Sequence, residues 1–422
     1  MSEPRPGLFA ARQSRAAAMP FIMLASLIDM ISIGLIIPVL PALVGSFTGS
    51  QTEQAHWYVV LAFTFGIANF FGSPILGALS DSYGRRPVLL IGFCGLMFSF
   101  FATAFAPSLR ILVGIRLVAG IMQANLSVAN AYVADITPPE ERAKRFGMLG
   151  AMFGIGFVLG PVIGGTLGQV NLRLPFLVAG SLAVLNFLYG FFVLPESHPP
   201  SQRRPFKWRN TNPFRSLYGL TQLKGAGSLV GTVACAGLAQ FLLYTSWVLY
   251  TTFKFGWGTR QNGYSLAAVG IVSILMQGLL LGRILKRISV RRLAVLGLIS
   301  STVAYALWGA ATQGWMMFAI IFVNLLGATV GAAIKSIISS AADAREQGTI
   351  LGAVGGLNSL TAAAAPIIAY LPLQMISHLP RGDWRIGAPF YLCAALQATA
   401  LMLTVAHFRR ERHARQSAAA SA

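Results

Sequence analysis

The sequence predicts an all-α integral membrane protein with twelve transmembrane helices arranged as two six-helix bundles. Three observations predict this class. Of 422 residues, 55% are hydrophobic and only 10% charged, where soluble globular domains carry roughly 25% charged residues. Mean hydropathy is +0.66. Apolar runs of about 20 residues, the length that crosses ~30 Å of hydrocarbon, recur along the whole chain, and the basic residues between them favour one side.

Composition excludes intrinsic disorder, collagen-like repeats and disulfide scaffolds. Cys94, Cys235 and Cys393 each sit in an apolar run and read as small packing residues. A net charge of +20 would suit a nucleic-acid surface, but the hydropathy argues against it and the placement of the charges decides.

The first span, 19–43, is too long for a signal-peptide core and lacks a small-residue cleavage site, so it belongs to the mature chain. The next five are 57–79, 88–105, 110–134, 146–170 and 175–194. The segment 195–224 then breaks the apolar pattern with Pro, Arg and Asn. Six further spans follow at 226–251, 264–285, 293–311, 314–338, 348–371 and 387–408. The domains are therefore an N-terminal bundle over 1–194, a loop over 195–224, and a C-terminal bundle with a basic tail over 225–422. The basic link 78–87 after the second span is echoed by 283–293 after the eighth. Such weak internal symmetry suggests a duplicated transporter with its substrate site near the membrane midplane.

With both termini on one side, that side receives most of the 32 Lys and Arg residues. Arg110, Arg116, Arg173, Lys254, Arg260, Arg381 and Arg385 remain for the other. Positive charge marks cytoplasmic loops, so both termini are expected in the cytoplasm. The basic excess is thus topological: the expected surroundings are a lipid bilayer, with no nucleic-acid partner.

Of the 12 acids, only Asp29 lies well inside an apolar run. A charge there costs roughly 2.5–3.5 kcal/mol even on lenient insertion scales, and loss of water favours its neutral form. Asp29 is therefore the candidate for reversible proton binding; a structural Asp bonded to a neighbouring helix is the plainer alternative. Arg116, early in the fourth span, either assists that proton chemistry or snorkels. Lys335 either faces a cavity or snorkels to the cytoplasm. Polar residues inside spans are candidates to line a substrate cavity: Asn69, Gln123, Asn125, Gln240, Tyr244, Gln277, Asn324 and Asn358. Some of these would instead serve as interhelical hydrogen bonds, each worth ~0.6 kcal/mol on average. Phe63, Phe65, Phe153, Phe241 and Trp247 could line an apolar pocket, with lipid contact the default.

The fifth span carries glycine at close spacing, with Gly154, Gly160, Pro161 and Gly164 among its residues. Small residues four apart let helix backbones approach closely, and Pro161 removes a backbone donor and should bend the helix. No strand precedes the run and no phosphate-holding lysine follows, so it reads as a gating seam and not a nucleotide loop. No His/Cys metal cluster, nucleophile elbow or pair of catalytic acids occurs in one site. No cofactor, metal or enzyme activity is predicted.

These motifs resemble the major facilitator superfamily, and within it the TetA-like (tetracycline-resistance type) drug:proton antiporters. The link Gly77-Ala-Leu-Ser-Asp81-Ser-Tyr-Gly84-Arg85-Arg86-Pro87 is similar to the superfamily's signature between spans two and three, with Ser82 where a basic residue is usual. Arg116 with Gly120 resembles the fourth-span signature, and the glycine run that of antiporters. The first span, including Asp29, Gly34, Pro38 and Pro41, is similar to that of TetA-like exporters. The resemblance implies that Asp81 and Arg85, with Asp135, form a cytoplasmic charge cluster that latches the two halves; Arg85 and Arg86 could also serve topology alone. It further implies a proton-coupled exporter of a small drug-like compound or metabolite in a bacterial inner membrane. Tetracycline exporters carry more membrane acids and a histidine, where this chain has Ser99, Ser301 and Ser273. Asn69 replaces a glutamine and Gln277 is retained. An apolar or weakly polar substrate is the more cautious expectation. A proton-linked importer or facilitator, and a transport-inactive receptor or scaffold, are the competing readings.

Overall fold

The computed structural model describes residues 7–123, 125–138, 141–203, 205–214, 227–340 and 347–420. Its first half consists of α1 (Gly7–Ile36), α2 (Leu40–Gly45), α3 (Gln51–Tyr83), α4 (Arg85–Phe105), α5 (Leu109–Met122), α6 (Asn125–Ile136), α7 (Arg142–Val170) and α8 (Leu174–Val193). The second half contains α9 (Gly227–Phe255), α10 (Thr259–Ile274), α11 (Leu281–Leu285), α12 (Val290–Ala310), α13 (Gly314–Val323), α14 (Val330–Ser340), α15 (Gln347–Ser377) and α16 (Ala388–Ala420).

Among the described residues, 10 helices are long and apolar enough to cross a membrane, and α13 with α14 form one more span bent by 52°. The remaining predicted span, 110–134, corresponds to α5 and α6, divided around Gln123. Hydropathy detects a span but not a break within it. The eighth span likewise contains a π-helical turn over Leu275–Leu280, and α1 starts at Gly7, well before the apolar stretch. Helix α7 runs unbroken from Arg142 to Val170 with Pro161 inside it. In a membrane, neighbouring helices can accommodate such a proline.

The chain divides into two compact units. One comprises Met1–Leu43, Ala68–Asn212 and Thr259–Ala267; the other comprises Val44–Ile67, Pro213–Gly258 and Ala268–Ala422. Each unit therefore takes one half-helix from the other half of the sequence. In the first unit, Phe21, Ile22, Leu89, Phe93, Val128, Tyr132, Val133 and Leu149 form a buried core from α1, α4, α6 and α7. In the second, Leu229, Ala294, Leu298, Ile334, Ile338, Ala353, Val354 and Ala400 do so from α9, α12, α14, α15 and α16.

Two basic residues outside the majority side have local explanations. Arg173 donates to the Ala104 and Ala106 carbonyls at the end of α4. The Lys254 ammonium donates to the Gly309 carbonyl at the end of α12, 2.9 Å away. Cations at helix C-termini satisfy orphan carbonyls and complement the helix dipole.

Candidate functional site

Asp29 lies on α1 and is half-buried. It borders a small hollow shared with Ser26, Met30, Phe93, Gln123, Ala129 and Phe153. Gln123 and Phe153 thus border the same hollow as the acid. Its identified hydrogen-bond partner is one the sequence did not single out. Asn186 on α8 is fully buried; its Nδ2 donates to the Ala25 carbonyl at 3.0 Å and to Asp29 Oδ1 at 3.3 Å.

One turn beyond Asp29, α1 lies backbone to backbone on α7. A β-carbon on Gly160 would stand 2.7 Å from both Gly34 Cα and the Ile31 carbonyl oxygen. One on Gly34 would stand 2.8 Å from Pro161 Cδ, and one on Gly164 would collide with the Leu35 carbonyl. Those glycines are required because no side chain fits between the helices. On another side of α7, Thr259 donates its hydroxyl to the Gly165 carbonyl at 2.9 Å, and Gly263 abuts the Pro161 carbonyl. Gly154 is half-buried on the same helix.

A second constellation joins the end of α3, the start of α4 and the end of α6. Arg85, its side chain 10% exposed, meets Asp81 at 2.6 Å and Asp135 at 3.1 Å, and also donates to the Ser80 hydroxyl. Gly84 turns the chain with φ +108°, a conformation that glycine adopts without strain. A side chain there would also strike the Glu196 carboxylate. Glu196 accepts from the backbone N–H groups of Arg85 (2.9 Å) and Arg86 (3.3 Å), covering the orphan donors at the start of α4. Arg86 itself donates to the Phe191 carbonyl. Gly77 has open space beside it. Glu196 read as one loop acid among many; its position just after Pro195, following an apolar span, was the available cue.

The other predicted positions are dispersed. Arg116, on α5, and Asn69, on α3, are half-buried; neither lines the hollow at Asp29. The Asn125 side chain lies outside the described residues. In the second unit, Tyr305 donates to Gln240 Oε1 (3.3 Å) and Ser300 to Asn324 Oδ1 (2.9 Å). Asn324 sits at the break between α13 and α14. Tyr244 and Gln277 are exposed, Gln277 within the π-helical turn; Asn358 is half-buried. Lys335 is exposed on α14, opposite the buried Ala333, Ile334, Ile337 and Ile338. Trp247 is a core residue, 3% exposed and edge-on to Trp308 and Phe390. Among the described residues no group of His, Cys, Asp and Glu could hold a metal.

A family model described as Major Facilitator Superfamily matches residues 22–366 and 229–421. The chain belongs to the major facilitator superfamily. Within this superfamily it is 37% identical to the class C tetracycline resistance protein of Escherichia coli, covering 86% of this chain and 92% of that protein. It is 32% identical to the class B protein of Escherichia coli, covering 90% and 95% respectively. Solved structures with this fold include a human organic anion transporter, MFSD10 (TM-score 0.69, 22% identity, covering 92% of this chain and 99% of that one). A bacterial homolog of the human lysosomal transporter Spinster has a TM-score of 0.70 at 16% identity, covering 96% of this chain and 99% of that one. This major facilitator protein is a TetA-like multi-pass membrane transporter and not an enzyme.

Proposed function

We propose that the protein exports a small, weakly polar drug-like compound or metabolite across a bacterial inner membrane in exchange for protons, with Asp29 as the proton carrier and both termini cytoplasmic. The observation that carries this reading is Asp29 itself. It is the one acid well inside a predicted span, beside a hollow and hydrogen-bonded to a fully buried amide. Coupling requires proton and substrate to favour different conformations. Movement of the bundles 1–194 and 225–422 would supply these conformations, with the Asp81–Arg85–Asp135 cluster and Arg86 biasing one of them.

The relatives named for tetracycline resistance support export of a compound of that kind. Ser99 and Ser301, both buried, together with Ser273, are neutral where tetracycline exporters carry ionisable groups, which favours a less highly charged substrate. Gln123, Gln240, Tyr244, Gln277, Asn324 and Asn358 are the neutral polar groups offered to it, with Arg116 assisting at the proton site.

The test is drug uptake into inverted membrane vesicles under an imposed pH gradient. Asp29→Asn should reach the membrane at wild-type levels yet show no gradient-driven uptake. Wild-type uptake by that variant would sink the assignment.

A further inference from the structure

The amide of Asn186 has a fixed polarity. Its Nδ2 faces α1 with both acceptors in reach, the Ala25 carbonyl at 3.0 Å and Asp29 Oδ1 at 3.3 Å. Asn186 Oδ1 is buried and has no hydrogen-bond partner among the described residues. Leaving a buried acceptor unpaired is costly, so the donors must hold the better position. Rotating the amide by half a turn would set Oδ1 against the Ala25 carbonyl, acceptor against acceptor. The peptide carbonyl of α1, which cannot titrate, therefore keeps Asn186 a donor toward Asp29.

A donor distinguishes the two forms of a carboxyl group. An ionised carboxylate accepts from N–H strongly; once protonated, the group keeps only a neutral carbonyl oxygen, which accepts more weakly. We propose that Asn186 is the positioning residue for Asp29: it holds the carboxylate ionised and ties α1 to α8 while the proton is absent, and the tie weakens when the proton arrives. This rests on the reading of Asp29 as proton carrier and adds a residue to it. The described charged and titratable groups on helices packed against α1 are Arg145 on α7, Tyr189 on α8, and Tyr132 and Asp135 on α6. Arg145 pairs with Glu141, Tyr132 donates to the Pro195 carbonyl, Asp135 meets Arg85, and Tyr189 packs on Phe21. None of them, nor Arg116 on α5, lines the hollow at Asp29; the bond from Asn186 is one contact of Asp29 that the structure defines.

The test needs no substrate. Dicyclohexylcarbodiimide modifies protonated carboxyl groups in apolar surroundings, so labelling of Asp29 in the full-length protein in phospholipid vesicles, followed by peptide mass spectrometry across pH, reports its protonation. Asn186→Leu, which keeps the volume and removes the donor, should move the pH of half-labelling upward by about one unit or more. Asn186→Ala should shift it in the same direction and serves if the Leu variant does not fold. An unmoved or lowered midpoint in the folded variants overturns the proposal. Because labelling is read without transport, failure of Asp29→Asn to stop gradient-driven uptake would instead strike the proton-carrier assignment alone.

Discussion

The two compact units place their charge in opposite ways. The first encloses a guanidinium: Arg85 meets Asp81, Asp135 and Ser80 with its side chain 10% exposed, and half-buried Asp29 on α1 accepts from a buried amide. The second keeps its ion pairs at the periphery, as in Arg385–Asp383, where the arginine side chain is 56% exposed, and Arg291–Glu411 at 47% for the arginine. Its interior polar contacts include the neutral pairs Tyr305–Gln240 and Ser300–Asn324, and its buried cation, Lys254, caps a helix end and pairs with no acid among the described residues. Its helices are interrupted by a π-helical turn and by the bend between α13 and α14. The comparison teaches a division of labour. A fixed amide dipole and close backbone contact surround Asp29, the proposed proton carrier, while neutral groups on interrupted helices can accommodate varied shapes.

The largest expected effect that would break this comparison is at Arg85. Arg85 is itself buried, and replacing it removes its packed stem together with charge-assisted bonds to Asp81, Asp135 and Ser80, so Arg85→Ala should destabilise the purified protein by about 3 kcal/mol, read as a lowered thermal midpoint in detergent. A loss no larger than that from Arg385→Gln would erase the contrast between the units.

A smaller effect separates the glycines. Gly160→Ala inserts a β-carbon 2.7 Å from α1 backbone, and overpacking of this sort costs about 2 kcal/mol. Gly355, in the middle of α15, faces open space, and a β-carbon added there would meet nothing within 4 Å. Gly355→Ala should be neutral or stabilising by up to ~1 kcal/mol. Parallel thermal melts of the two variants check the pair.

The smallest effect concerns Asp383. Hydrogen bonds from the Arg385 side chain and backbone, with the guanidinium charge, hold its carboxyl below its ordinary value of 3.8. A depressed acid contributes stability above its unfolded value and loses it as pH falls through the folded one. Arg385→Gln should therefore lower the thermal midpoint slightly at neutral pH, and the difference should shrink below about pH 4. An exposed pair of this kind contributes little, so a large neutral-pH effect would contradict its peripheral role.

Much of this organisation was legible in the sequence, and the reasons differ by feature. Span positions follow from hydropathy because lipid imposes one length. Asp29 was visible because a single acid in an apolar run is rare. Gly160 and Gly164 were legible from their four-residue spacing, and Arg85 with Asp81 from the loop signature. Asn186 was not, because a lone amide in an apolar span reads like any other, and its partner lies 157 positions away. Glu196 gave only its place after Pro195 at the end of an apolar span, since the helix start that a loop acid covers shows itself only in three dimensions. The break at Gln123 and the bend at Asn324 escaped because hydropathy averages over local backbone geometry; in hindsight each falls on a polar residue inside an apolar span.

The contact between α1 and α7 has one more consequence. Interlocked side chains act as detents: a helix can slip past its neighbour only when rotamers change on both faces. From Gly156 to Gly164 the meeting surface is largely bare backbone against Met30–Leu35, so α1 can shear along α7 by a fraction of a turn with few rotamers to rearrange. Asp29, the proposed proton carrier, sits on the helix that this bearing of glycine supports.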